Sequence, residues 1–192
     1  MAARHGNDKV ILHTIGDSHA LYGWPMVQIP GYDVRCHHLG ARLMHTVTTG
    51  KLDAVIQNAC WHVDQGMVCF CFGEIDCRAH AHLHGQESLA NKYLERIYAL
   101  TPDRMTLVMG IVPPEREPRP VHNGSATQRL AYVQYLNGEL ARLAPGFGFR
   151  FVNVFPGYAD AQGFMRSDLA GHQGHIGDHR PLQDAVCEAI TT

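Results

Sequence analysis

The stretch VILHTIGDSHALYG, residues 10–23, starts as a strand and ends as a turn. Val10, Ile11 and Leu12 open an apolar run that reaches Ile15, and Gly16-Asp17-Ser18-His19 follows at once. A turn of this kind has two readings. Asp17 can hydrogen-bond nearby amides and shape the turn, with Ser18 as the N-cap of whatever helix comes next. Alternatively, the turn is a mount that holds one serine hydroxyl at the carboxyl end of a strand. The rest of the chain decides between them.

Four more apolar runs read as buried strands: Asp33–His37, Met67–Phe72, Met105–Ile111 and Phe149–Phe155. Met67–Phe72 (MVCFCF) and the run MTLVMGIV from Met105 are almost continuously apolar, as strands covered on both faces are. Helical patterns lie between them. Leu89, Tyr93, Leu94, Ile97 and Leu100 form one stripe, closed by Pro102. Leu130, Val133, Leu136, Leu140 and Leu143 form another, with Ser125 placed to cap it. A last helix starts at Pro181 and carries Leu182, Ala185, Val186 and Ile190. Strands alternating with helices predict an α/β fold: one domain over residues 1–192, a doubly wound, flavodoxin-like sheet of five parallel strands with helices on both faces.

Composition narrows the function. The chain has 192 residues, 45% of them hydrophobic and 18% charged, enough for a real core. Its formal net charge of -2 gives no basic face, so nucleic acid is not an expected partner. No apolar run approaches the ~18 residues of a membrane span. The opening MAARHGNDKV lacks an apolar signal region, so a cytoplasmic protein without a membrane partner is expected. None of the six cysteines is spaced as C-x-x-C, and reduced, mostly buried thiols are the expectation. The histidines His80, His82 and His84 of HAHLH would share a face on a strand. No carboxylate or cysteine in sequence completes a ligand set with them, so an exposed loop is preferred to a metal site. No metal or other cofactor is expected.

Polar, glycine-bounded segments recur where the strands end. Gly16-Asp17-Ser18-His19 follows the first, HHLGARLMH with Gly40 the second, and Gly73-Glu74-Ile75-Asp76-Cys77-Arg78 the third. The fifth is followed by PGYADAQGFMRSDLAGHQGHIGDH. In an open parallel sheet ligands bind at that edge. The proline-rich PPEREPRPVHNG, residues 113–124, follows the fourth strand and reads equally as a wall of that edge or as a plain surface loop.

These blocks, in this order, resemble the SGNH hydrolase superfamily, the GDSL-type esterases and lipases, and in particular a branch with the signature seen here as FGEIDCRAH, Phe72 to His80. The resemblance implies that Ser18 is a nucleophile and that its amide and that of Gly40 line an oxyanion hole. It implies a histidine base from the last loop, oriented by an aspartate. A serine hydroxyl needs such a base because it is a weak nucleophile at neutral pH. The base in turn needs a partner that fixes its tautomer.

The chain departs from the wider superfamily twice. Ile75 stands where an asparagine usually donates to the oxyanion, and Arg78 or another amide is left to substitute. No aspartate between residues 160 and 180 lies three residues before a histidine. Asp168 precedes His172 by four residues and His175 by seven, while His179 directly follows Asp178. Ser167-Asp168 with His175-Ile176 best resembles the branch, so His175 is the expected base, Asp168 its orienting acid and His172 the alternative base. Gly73, Asp76, Arg78 and Asp17 are assigned with Gly40 to the oxyanion and substrate region. Asp76 and Arg78 read equally as a buried ion pair or as substrate contacts, and Glu74 as a polar loop residue.

The expected function is a serine esterase acting on a small acyl ester, an O-acetyl or similar group on a sugar or metabolite, through an acyl-Ser18 intermediate. Acyl transfer at the same site and a non-catalytic ligand- or metal-binding module are the alternatives.

Overall fold

The computed structural model describes residues 9–61, 66–80, 88–117, 119–172 and 175–191. Five strands form one sheet: β1 (Val10–Gly16), β2 (Tyr32–His38), β3 (Met67–Cys71), β4 (Thr106–Met109) and β5 (Arg150–Val152). All pairings are parallel, and the order is β2-β1-β3-β4-β5. The sheet is therefore the expected flavodoxin-like one, with its order reversing between β1 and β3.

Six α-helices cover it: α1 (Met44–Thr48), α2 (Asp53–Trp61), α3 (Leu89–Leu100), α4 (Ala126–Leu143), α5 (Phe155–Tyr158) and α6 (Arg180–Thr191). Side chains alternate along a strand, so each strand feeds two cores. Ile15, Val68, Phe70 and Val108 pack with residues of α1 to α4. Leu12, Met67, Cys69, Cys71, Leu107 and Met109 pack on the other face against Trp24, Val27, Ile29, Tyr158 and α6.

The stripes read from the sequence are the buried ones. Leu89, Tyr93, Leu94, Ile97 and Leu100 of α3 are all buried, as are Leu130, Val133, Leu136 and Leu140 of α4. Ser125 caps α4 through a reciprocal box with Gln128, its hydroxyl accepting from the Gln128 amide. The strand ends differ more. The fourth run, expected to reach Ile111, ends as a strand at Met109, because Asn137 of α4 takes over the Ile111 amide and carbonyl at 2.7 and 2.8 Å. The short helices α1 and α2 carried no stripe long enough to announce them.

Cys69, Cys71 and Cys77 are buried free thiols, and Cys36 and Cys187 are half-buried free thiols. Cys60 has no described side chain. His82 and His84 of HAHLH lie outside the described residues. Among the described residues, no three histidine, cysteine or acidic side chains come together to hold a metal, and no helix is long and apolar enough to cross a membrane.

Candidate active site

The carboxyl ends of β1 and β3 meet where the strand order reverses, the usual crevice for ligands in an open α/β sheet. Their approach depends on Gly16. A Cβ there would lie 1.9 Å from the Cys71 carbonyl oxygen, so only a residue without a side chain lets the two strand ends touch. The Asp17 amide then donates to that same carbonyl. Asp17 is fully buried, and its Oδ1 accepts from the His19 amide at 2.8 Å. This Asx turn starts the single 3-10 turn Ser18–Ala20 and leaves the Ser18 side chain half-buried at the crevice. The cap of this turn is thus Asp17, and the Ser18 hydroxyl is released for another partner.

That partner comes from the loop between α5 and α6. His175 Nε2 lies 2.9 Å from Ser18 Oγ. The other ring nitrogen, Nδ1, lies 2.7 Å from the carbonyl oxygen of His172. A carbonyl can only accept, so Nδ1 carries the proton, and Nε2 presents its lone pair to the serine O–H. The loop is tied on each side of the ring: Gly171 donates to the His175 carbonyl, Gly177 donates to the Leu169 carbonyl, and Ala170 bridges Ile176. Tyr22 stacks on the imidazole with ring centres 4.0 Å apart. Burial pushes the His175 imidazole below the usual histidine range, and the charge of His19 pushes the same way. The ring is therefore neutral, and able to accept a proton, near pH 7.

Asp168 does not orient His175. Its exposed carboxylate is held by the Arg166 guanidinium at 2.7 Å, two residues away. The carbonyl of His172 takes the position expected for an acid. His172 thus contributes its backbone, and its own ring is exposed. Replacing Asp168 with Asn is expected to change kcat by less than about threefold, because exposed ion pairs are worth little. Steady-state rates on a chromogenic ester measure this, and a loss of 100-fold or more would restore Asp168 to the machinery.

The third block divides its labour. Asp76 and Arg78 do not pair with each other. Asp76 is fully buried and accepts from the amides of Met44 and His45 at 2.7 and 3.1 Å, capping α1 across 31 residues of chain or more. Arg78 instead donates to Glu74 at 2.8 Å. Asp76→Ala leaves two helix-start amides unpaired and is expected to cost about 3 kcal/mol. Chemical denaturation checks this, and an unchanged midpoint would contradict the cap. Gly73 sits at φ +113°, where a Cβ would strike Met44 and Ile111. Gly40 sits at φ +78° just beyond β2, next to Leu39, whose amide donates to the Gly16 carbonyl. Ile75 is buried, and its side chain has no polar atom to bring to the edge.

A cavity of about 400 Å³ opens beside the pair, lined by His19, Glu74, Arg78, Arg119, Pro120, Val121, His122 and His175. The proline-rich segment therefore forms a wall of the crevice. Arg129 of α4 holds it, donating to the carbonyls of Gly124 and Glu115 at 2.9 and 3.1 Å. A larger groove of about 860 Å³ between β5, α5 and α6 contains neither Ser18 nor His175, and size alone does not make it the site.

Solved structures share this arrangement of sheet and helices. A GDSL-like lipase from Bacteroides thetaiotaomicron superposes with a TM-score of 0.67 at 14% identity, covering 100% of this chain and 92% of that one. The chain has the SGNH-hydrolase fold. A catalytic mutant of an acetylxylan esterase from Geobacillus stearothermophilus gives a TM-score of 0.62 at 14% identity, over 95% of this chain and 94% of the other. An aryl esterase from M. smegmatis gives 0.62 at 14% identity, over 95% and 98%. No family model and no curated protein matches the chain. At such identities the fold is what is shared.

Two side chains of the opening stretch were left unassigned by the sequence and line or touch the site: His19 and Tyr22. The signal for His19 was the Asp-x-His spacing across a tight turn, which returns the imidazole to the carboxylate. Nothing in the sequence announced the Tyr22 stack, because its partner is 153 residues away (175 less 22).

Proposed function

We propose that the protein is a serine esterase that hydrolyses small acyl esters with a Ser18–His175 pair. The observation that carries this reading is the 2.9 Å contact between Ser18 Oγ and a His175 nitrogen whose tautomer is set to accept. The esterases among the solved structures of the same fold support it. A cavity of about 400 Å³ has room for an acetyl-sized acyl group with part of a sugar or aryl alcohol.

The Ser18–His175 contact supports the following steps. Ser18 Oγ forms a bond to the acyl carbon as its proton passes to His175 Nε2, and the carbonyl electron pair moves onto oxygen. The tetrahedral intermediate collapses by breaking the bond to the alcohol, which leaves with the proton from His175. Water then repeats the sequence on acyl-Ser18 and releases the acid. The His172 carbonyl takes the orienting part usually given to a carboxylate. It fixes tautomer and ring direction, but as a neutral group it stabilises the imidazolium less.

Two measurements test this. Where acylation outpaces deacylation, rapid mixing with a chromogenic acetyl ester should show a burst of alcohol close to one equivalent of protein, with acyl-Ser18 recovered after quenching. Slow linear release with no burst, and no acyl group recovered on Ser18 after quenching, would overturn the covalent route. The second is the pH profile. His175 must be neutral to act, and burial holds its ring below the ordinary value in a crevice whose charged and titratable groups include Asp17, His19, Glu74, Arg78, Arg119 and His122. The acid limb of kcat/KM is therefore expected to have its midpoint below ~6.5, with activity rising as pH rises through it. A midpoint above that value would contradict a buried imidazole with no carboxylate partner as the base.

A further inference from the structure

The site holds a second imidazole that this mechanism leaves idle. His19 is 5% exposed, and neither of its ring nitrogens makes a hydrogen bond within the described residues. Nδ1 faces the buried carboxylate of Asp17 at 3.3 Å, a charge contact rather than an aligned hydrogen bond. The Trp24 indole N–H fixes the backbone by donating to the His19 carbonyl at 3.0 Å. The ring lies 5.5 Å from that of His175, centre to centre, and forms part of the same cavity wall. A buried N–H without an acceptor costs on the order of 1–3 kcal/mol, so a partner that arrives with substrate accounts for it.

We propose that His19 is a further catalytic residue, whose Nε2–H donates to the acyl oxygen of the bound ester and to the oxyanion formed when Ser18 attacks. This rests on the esterase reading above. Three observations bring it forward. His19 directly follows the attacking residue, so its position relative to Ser18 is set by one tight turn. The Ile75 side chain, buried four residues past the end of β3, offers the oxygen no donor. The two imidazoles are also driven in opposite directions. Burial opposes a charge on His19, but the contact and charge of Asp17, with Glu74, outweigh it and raise the ring above its usual value, whereas His175 is lowered. Two like groups whose environments separate them in this way suit an acid and a base in one site. These opposite directions suit His19 to donate and His175 to accept.

The test combines kinetics of the full chain on a chromogenic acetyl ester with a structure of the wild-type protein phosphonylated on Ser18. His19→Leu is expected to lower kcat about 10²–10³-fold, the usual effect of removing one oxyanion donor, with KM within about threefold. His19→Gln, which keeps a neutral N–H donor, should recover at least about tenfold of that loss. In the wild-type adduct His19 Nε2 should lie roughly 2.7–3.1 Å from the phosphoryl oxygen. If the wild type hydrolyses esters but His19→Leu stays within about threefold in kcat, the role of His19 is wrong and the esterase reading stands. If the wild type neither hydrolyses esters nor labels at Ser18, both fall together. Should His19→Leu fail to fold, the adduct decides: a phosphoryl oxygen beyond hydrogen-bond reach of Nε2 overturns the assignment.

Discussion

Ser18→Ala and His175→Ala should each lower kcat on an acetyl ester on the order of 10⁵–10⁶-fold, and the double variant should be little worse than either one. The non-additivity is the informative part. Ser18 Oγ is a weak nucleophile until His175 Nε2, 2.9 Å away, takes its proton, and His175 has nothing to deprotonate without the serine. Either deletion therefore removes the whole unit. Whatever remains comes from binding and from oxyanion donors, which neither substitution touches. Neither change should cost much stability, since both side chains are only half-buried at the crevice. His172→Ala should retain nearly full activity, because His172 acts through its carbonyl. Losses that simply add for Ser18→Ala and His175→Ala, or a His172→Ala variant that is as inactive as they are, would contradict the pair.

Gly16→Ala should be the most disruptive added methyl group among the described glycines. The added carbon would sit 1.9 Å from the Cys71 carbonyl oxygen, and that oxygen belongs to a backbone ladder, not to a movable side chain. Relief requires the ends of β1 and β3 to part. That breaks the Asp17-to-Cys71 hydrogen bond and shifts the turn that carries Ser18. Overpacking of a core typically costs about 1–3 kcal/mol, and a backbone clash at the centre of the sheet should reach at least the top of that range. We expect a lowered denaturation midpoint together with loss of Ser18 labelling in the fraction that still folds. The same substitution at Gly148, where a Cβ meets nothing within 4 Å, should cost far less, its φ of +72° being its main penalty. Wild-type stability and labelling in Gly16→Ala would show that the close approach of β1 and β3 is not what holds the site.

The sheet was legible because its signal is local and repeated. Runs such as Met67–Phe72 are apolar on both faces, and the stripes of α3 and α4 repeat at helical spacing. The first three blocks were legible for the same reason, since each is a short segment fixed to a strand end. What failed was long-range or backbone-mediated. Asp168 was chosen from the resemblance of Ser167-Asp168 and His175-Ile176 to the branch, but Arg166 lies two residues away and claims its carboxylate. The group that orients His175 is a main-chain carbonyl, which every residue possesses and no motif records. Asp76 and Arg78 invited pairing by proximity in the chain. The fold gives Asp76 to the start of α1 and Arg78 to Glu74. The Asp-x-His spacing placed the His19 ring beside Asp17, but the burial that leaves its nitrogens without a hydrogen bond appears only in the packing.

The central claim is that one serine of this chain is activated, and that it is Ser18. Treating the full chain with a fluorophosphonate and mapping the modified peptide tests it most directly. One equivalent of label is expected, all on Ser18, and none in His175→Ala over the same time. No label on well-folded protein, or label on Ser88, Ser125 or Ser167 instead, would contradict it.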